Sequence, residues 1–244
     1  MGSKKLKPAD AYRIQVLEKD WNTPSFRDPW PLYREEIIRS LGTPITSDGV
    51  RRVGENLRQI ILDVGKSSAA SRDNAGVSRV GNIFECMIGW YLNLLFWGTP
   101  VVVSKGKSFP KVLKDAVTVK IENKTTSKDP DLLAFTIPDH RHFTVDTPID
   151  DWLLENIRDV DVTIIQTKTT WNENAQIPML WNWLYGLGSS PGMNIHIGNN
   201  GVGPEALKEL RYAFVVMPTQ KNLKIFKENG MPAKRVKALT GGNY

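Results

Sequence analysis

The sequence predicts an α/β protein with a central mixed β-sheet that is flanked by helices and preceded by an N-terminal helical region. Apolar residues recur at spacings of three and four through the first third of the chain, which is typical of amphipathic helices. From Val101 onward the pattern changes to short runs that are β-branched or alternate between polar and apolar residues, which indicates strands. A later helical pattern lies between two strand patterns, so the order is helix, strands, helix, strand.

The residue pattern of each segment predicts its secondary structure. The spacing of apolar residues predicts helices over 31–41, 49–64 and 81–97, with Ser47 and Asp48 as the N-terminal cap of the second. β-Branched and alternating runs predict strands over 101–104, 116–121, 131–137, 160–169, 194–197 and 212–217. A polar loop is expected over 66–78, a helical turn over 150–157 and a helix over 177–187.

Length, charge and cysteine content narrow the class of protein. The 244 residues suffice for one large domain or a core with an added region, and we divide them into a helical region at 1–80 and a core at 81–244 that ends in a basic segment. Cys86 is the single cysteine, which excludes an internal disulfide and a cysteine-rich zinc site. The net charge of +6 favours an anionic partner such as nucleic acid. Because no secretory signal opens the chain and no apolar run is long enough to cross a bilayer, we expect a cytoplasmic protein of a prokaryote, without a membrane partner.

The strongest chemical signal joins an Asp-Pro-Asp sequence, which ends at Asp131, to the end of the strand predicted over 160–169. Gln166 and Lys168 are separated by one residue of that strand, so both point to the same face, whereas Thr167 points away and can offer only its backbone carbonyl. A carboxylate and a second oxygen ligand suit a divalent cation, and an ammonium beside them suits an attacking water and a phosphate. We therefore predict a Mg²⁺ site at Asp131 and Gln166, with Lys168 as a catalytic residue.

A further carboxylate interrupts the apolar helix predicted over 81–97. An unpaired buried charge is costly, so Glu85 needs a partner, which either a metal ion or Lys168 would supply. The alternative is that Glu85 is a solvated residue at a helix end. We include Glu85 among the candidate catalytic residues and metal ligands.

The order of elements, together with Asp131 and the Gln-Thr-Lys sequence, resembles the PD-(D/E)XK nuclease superfamily and, within it, the type II restriction endonucleases. The resemblance covers about residues 81–217. It implies a restriction-endonuclease-like core that hydrolyses phosphodiester bonds of double-stranded DNA at a specific short sequence, with Mg²⁺ as cofactor and a homodimer as the assembly. It also implies a glutamate on the helix before the first core strand, which is the place of Glu85. The chain departs from the family at Gln166, where an acidic residue is usual, although an amide oxygen can still ligate a hard cation.

Two questions stay open in the sequence. Glu122 and Lys124 match the acid-any-lysine pattern more literally, with Asp115 upstream, although no proline precedes Asp115 and a turn-like segment follows the pair. The function is open between a restriction endonuclease, a DNA repair or recombination nuclease of the same fold, and a catalytically silent DNA-binding protein.

Recognition of a DNA sequence needs contacts to base edges, because phosphates carry no sequence information. The candidates are amide and aromatic side chains that can pair or stack with bases, and basic side chains that can bind the backbone. They are Trp171, Asn172, Asn174, Gln176, Asn199, Asn200, Arg72, Asn74, Lys105 and Lys107. For the loops that carry the asparagines, an ordinary turn is the alternative interpretation.

Overall fold

The structure is a computed structural model that describes residues 6–27, 30–68, 74–122, 124–125, 130–138, 142–144, 146–169, 185, 194–216, 224 and 227–239. Its helices are α1 Pro8–Trp21, α2 Pro24–Arg27, α3 Trp30–Leu41, α4 Ser47–Ser68, α5 Asn74–Leu95, α6 Lys111–Val117, α7 Ile149–Glu155 and a C-terminal helix, Met231–Leu239. Its strands are β1 Val101–Lys105, β2 Val119–Ile121, β3 Lys124–Thr125, β4 Leu132–Thr136, β5 Asp161–Lys168, β6 Ile195–Ile197 and β7 Glu209–Val216.

The N-terminal third is helical, as predicted, with three differences in detail. The sequence does not predict α1, because its inner face buries the polar pair Asp10 and Arg13 and so lacks a continuous apolar stripe. The hydroxyl of Thr46 accepts a hydrogen bond from the N–H of Gly49 at 3.1 Å, so Thr46 rather than the residues after it caps α4. Both ends of the loop predicted over 66–78 are helical, since α4 and α5 extend into it.

The main sheet has four strands in the order β1-β4-β5-β7. The pairs β1/β4 and β4/β5 are antiparallel, whereas β5/β7 is parallel, so the sheet is mixed. A parallel pair needs a crossover connection, which is where the sequence predicts a helix over 177–187. That helix lies outside the described residues except for Tyr185. The α/β class and the mixed sheet flanked by helices are confirmed.

A smaller sheet corrects one strand prediction. It has three strands in the order β3-β2-β6. The run predicted as a strand over 116–121 is divided, because its first two residues end α6 and only Val119–Ile121 form β2. Residues 116 and 117 are helical because Pro110 stands at the N-terminus of α6 and because Leu113, Ala116 and Val117 are buried at helical spacing.

Helices cover both faces of the main sheet. α5 packs against one face, where Ile88 and Leu92 contact the cluster of Val103, Leu132 and Ile165. The other face packs against α6 and α7, in a core that includes Leu113, Leu133, Phe135, Leu153, Val162 and Ile164. The N-terminal helices α2, α3 and α4 pack on α5 in a separate cluster. The division proposed at residue 80 falls within α5.

None of the helices in the described ranges combines the length and the apolar character that a membrane crossing requires.

Candidate active site

The candidate site lies at one end of the main sheet, where β4 begins and β5 ends. The last backbone pair of these two strands is Leu132 with Ile165. The N–H of Thr167 lies beyond that pair and donates to Oδ2 of Asp131 at 2.7 Å. The hydroxyl of Thr167 donates to the same oxygen at 3.1 Å. Two hydrogen bonds therefore hold one carboxylate oxygen of Asp131 and fix its side chain at the end of the sheet.

Thr167 thus corrects a prediction from strand alternation. Its side chain does point away from Gln166 and Lys168, and it is only 5% exposed. It offers more than a backbone carbonyl, however, because its N–H and hydroxyl position Asp131. A threonine at the end of a strand is common, and the register needed to see this contact is absent from the sequence.

Glu85 is paired with a residue that the sequence did not suggest. Its Oε2 lies 2.7 Å from Nζ of Lys105, the last residue of β1. The side chains are mostly buried, at 21% exposed for Glu85 and 17% for Lys105. Glu85 is therefore neither a solvated helix-end residue nor the ion-pair partner of Lys168. Lys105, predicted to contact DNA, is instead occupied by this ion pair.

Glu85 also lies close to the charges of Asp131 and Lys168. Burial raises the pKa of Glu85 above its ordinary value, and the carboxylate of Asp131 adds to the rise. The ammonium groups of Lys105 and Lys168 act in the opposite direction. Helix α5, the start of β4 and the end of β5 therefore place three of the predicted catalytic side chains within range of electrostatic interaction.

Gln166 and Lys168 share one face of β5, as predicted. The alternation of the strand places them on the face of Val162 and Ile164, which is turned away from α5. Lys168 still acts on Glu85, because it ends the strand and the site extends around the end of the sheet. Gln166 and Lys168 are half-buried, and neither forms a hydrogen bond or ion pair with another described residue.

Tyr212 on β7 lies beside this site and was missed in the sequence. It pairs in register with Ile164 of β5. Its hydroxyl is buried and has no hydrogen-bond partner among the described residues. Burial raises the pKa of Tyr212, with further contributions from Tyr185 and Asp131, so its hydroxyl stays protonated. No local pattern marks it, since tyrosine is an ordinary strand residue.

For the alternative pair, Glu122 and Lys124, the upstream carboxylate does not lie on a strand. Asp115 lies in α6 rather than on a strand. Glu122 is exposed and has a φ of +50°, which places it in the turn after β2. Lys124 belongs to the smaller sheet, and its side chain is not described. This arrangement favours Gln166 and Lys168 over the alternative pair.

Asn199 and Asn200 hold their loop against α6. Their Nδ2 groups donate to the carboxylate of Asp115 at 2.9 and 3.0 Å. Oδ1 of Asn199 accepts a hydrogen bond from Nζ of Lys120 at 2.7 Å. Burial by itself would raise the pKa of Asp115, but hydrogen bonds from these amides and from Lys111 outweigh it and lower that pKa. The amides are engaged within the protein, and their assignment as base-reading groups stays a prediction.

The side chains of the other predicted DNA contacts lie outside the described part of the protein. Five of them fall outside the described residues: Trp171, Asn172, Asn174, Gln176 and Arg72. Two have a described backbone but an undescribed side chain: Asn74, which begins α5, and Lys107, in the 3₁₀ turn Gly106–Ser108. These seven residues remain predictions.

The donors at the end of the sheet suit a hard divalent cation. Asp131 has a second carboxylate oxygen, and Gln166 a side-chain oxygen, that no described residue binds. Within the part of the chain that is described, no three His, Cys, Asp or Glu side chains gather to hold a metal. Mg²⁺ does not require such a group, because it keeps several waters and often binds one or two carboxylates together with substrate phosphates. The residues present therefore fit Mg²⁺.

Asp20 of α1 extends the charged cluster behind Lys105. Its Oδ1 accepts a hydrogen bond from the hydroxyl of Ser108 at 2.7 Å. Burial raises the pKa of Asp20 from 3.8 to about 6, although Ser108 and Lys105 oppose the rise. The folded protein therefore binds more protons than the unfolded chain between these two pH values, and Asp20 makes the protein less stable as the pH rises through that window.

We expect the Asp20→Asn variant to gain stability relative to the wild type at pH 7.5, because it retains an acceptor for Ser108 without a buried charge. The gain should shrink as the pH falls through about 6 towards 3.8. Urea unfolding of both proteins between pH 4 and pH 8 measures it. A difference in the free energy of unfolding that does not change with pH would contradict this account of Asp20.

No protein-family model and no curated protein sequence matches this chain.

Proposed function

We propose that this protein is a Mg²⁺-dependent endonuclease that hydrolyses phosphodiester bonds of double-stranded DNA, of the type II restriction class and with a PD-(D/E)XK-like core. The observation that carries the proposal is that two hydrogen bonds from Thr167 fix the carboxylate of Asp131 beside the end of β5, the strand that carries Gln166 and Lys168. The order of elements supports it, since α5, β1, β4, β5 and β7 follow the predicted order of helix, strands, helix and strand, of which the second helix lies outside the described residues except for Tyr185.

The oxygen ligands in this proposal come from the ends of two adjacent strands. Asp131, fixed by Thr167, would hold Mg²⁺ with the amide oxygen of Gln166 and the backbone carbonyl of Thr167. When bound, the ion polarises a phosphate and lowers the pKa of a water molecule. Gln166 contributes no charge, so Asp131 carries most of the electrostatic attraction.

Lys168 supplies the cation for catalysis. Its ammonium forms no ion pair with another described residue, so it can interact with the attacking water and the scissile phosphate. It orients that water, helps to remove its proton and offsets the negative charge that gathers on the phosphate in the transition state. The expected products carry a 5′-phosphate and a 3′-hydroxyl.

Binding of DNA needs cations beyond the catalytic residues. The chain has a net charge of +6, and the C-terminal helix exposes Lys234, Arg235 and Lys237. Such groups bind backbone phosphates without reading sequence, so DNA affinity should fall steeply with salt. A homodimer would match the two-fold symmetry of a palindromic site, and the segment 171–176 is the proposed source of base contacts.

A second candidate, a catalytically silent DNA-binding protein, is favoured by two observations. Glu85 is already neutralised by Lys105, and an amide occupies position 166. Incubation with phage DNA and Mg²⁺ separates the possibilities. Discrete fragments support the proposed restriction activity, and a smear indicates a nuclease without sequence specificity. Intact DNA that is nevertheless retarded in a gel would support the silent binding protein.

The Thr167→Val variant tests how Asp131 is held. It removes the hydroxyl donor but keeps the N–H and the shape of the side chain. We expect the Mg²⁺ concentration for half-maximal cleavage to rise about three- to tenfold, the effect of losing one hydrogen bond. The matched control is Thr163→Val on the same face of β5, where the requirement for Mg²⁺ should not change. An unchanged requirement in Thr167→Val would show that the hydroxyl does not position Asp131.

A further inference from the structure

The ammonium of Lys105 occupies a site built for a cation. It lies 2.7 Å from Oε2 of Glu85 and 3.5 Å from Sγ of Cys86. It also lies 3.3 Å from Oδ1 and 3.4 Å from the backbone oxygen of Asn82. A lysine ammonium has three protons, and three residues supply acceptors for them. Lys105 is therefore held from several sides in a mostly buried position.

The position of this ammonium matters because two carboxylates lie near each other. Asp131 adds to the rise in the pKa of Glu85, so its negative charge disfavours the charged form of Glu85. Buried like charges persist only with compensation from a cation. Lys105 provides that compensation from the side of Glu85, while the second oxygen of Asp131 lacks a partner among the described residues.

We propose that Lys105 takes the place of a second metal ion, so that the site holds one divalent cation, at Asp131, and Glu85 is not a ligand of it. This inference rests on the proposed function, because it specifies how many ions the nuclease site takes. Lys105 is then a positioning residue: it pairs with Glu85 and holds that side chain in place without contacting DNA. A flexible surface lysine that binds phosphate would instead be exposed and without this set of acceptors.

The Lys105→Met variant tests the inference, because methionine keeps an unbranched apolar stem and removes the charge. Binding of Mn²⁺ in the absence of DNA is counted from the free-ion signal in electron paramagnetic resonance. We expect one ion per chain for the wild type and two for Lys105→Met, with the second ion at the exposed carboxylate of Glu85. The double variant Lys105→Met with Glu85→Gln should bind one ion again.

Two further proteins serve as controls. Lys208→Met removes a lysine that pairs with Asp161 at the far end of β5, and it should bind one ion. Glu85→Gln should keep one ion with an affinity within about threefold of the wild type, since the inference excludes Glu85 as a ligand. This variant leaves Lys105 in place, so it also tests the proposal should Lys105→Met fail to fold.

The outcomes separate the inference from the proposed function. Two ions in the wild type, one ion in a folded Lys105→Met, or loss of the ion in Glu85→Gln would overturn the role of Lys105, and DNA cleavage with Mg²⁺ would still support the nuclease. Absence of Mn²⁺ binding together with absence of cleavage would overturn both.

Discussion

Replacing Lys168 with alanine is expected to lower the rate constant of DNA cleavage by about 10²- to 10⁴-fold, the contribution typical of a positioned acid–base or charge-stabilising group. The loss should appear in the rate constant rather than in DNA affinity, because the affinity comes from many phosphate contacts. Single-turnover cleavage and equilibrium binding in Ca²⁺ measure the two quantities separately.

Lys208→Ala is the matched control for this substitution. Lys208 is 57% exposed and pairs with Asp161 at the beginning of β5, whereas Lys168 ends the same strand. Both variants lose one positive charge, so an effect of net charge alone would appear equally in both. A Lys168→Ala protein that cleaves at the wild-type rate would remove Lys168 from the proposed mechanism.

Replacing Arg13 with alanine is expected to destabilise the folded protein by about 3–5 kcal/mol, since it leaves a buried charge without its partner. Arg13 of α1 is fully buried and forms an ion pair with Asp10. Its Nη2 also donates to three backbone carbonyls around the turn between α5 and β1, those of Phe96, Thr99 and Val101. The substitution therefore removes the link between α1 and the start of the sheet.

Urea unfolding at neutral pH measures this loss, with Arg51→Ala as the control. Arg51 forms an ion pair with Glu55 within α4, but its side chain is 63% exposed. Exposed pairs contribute about 0–1 kcal/mol, so Arg51→Ala should change stability little. Arg13→Lys should recover only part of the loss, because an ammonium lacks the planar fork that reaches several acceptors. Equal effects of Arg13→Ala and Arg51→Ala would contradict this role.

The fold was predictable wherever the hydrophobic period was clear. The strands β1, β4 and β5 are short apolar or β-branched runs and α5 repeats apolar residues at helical spacing, and their order followed directly. The helix α1 was not predictable in this way, because Asp10 and Arg13 bury charge where a stripe would be apolar. The last two residues of α6 carry the same alternating pattern as β2, so the sequence predicts a strand from Ala116 where the helix still continues.

The pairing of Glu85 with Lys105 could have been anticipated from element lengths. Glu85 lies ten residues before the end of α5, which is about 15 Å along a helix. Lys105 lies four residues after the start of β1, which is about 13 Å along a strand. Because the strand runs back beside the helix, the two side chains end at the same level. The lengths of the two elements therefore predict the pairing of Glu85 with Lys105 better than the two residue types alone.

Other contacts at the site depend on register and loop packing. The backbone pairing of β4 and β5 ends at Leu132 and Ile165, one pair before Asp131 and Gln166. The side chain of Asp131 therefore accepts a hydrogen bond from the N–H of Thr167. Asn199 and Asn200 bind Asp115, which is more than 80 residues away in sequence. No local pattern distinguishes asparagines that bind a buried carboxylate from asparagines that are free to contact a base.

Bound Fe²⁺ can reveal whether Asp131 and Gln166 hold one cation at the end of the main sheet. Fe²⁺ replaces Mg²⁺ at oxygen-rich sites, and with ascorbate and peroxide it generates radicals that cut the polypeptide next to the ion. We expect cleavage near residues 131 and 166, suppressed by excess Mg²⁺ and lost in Asp131→Ala. Cleavage confined to other segments, or unaffected by Asp131→Ala, would contradict it.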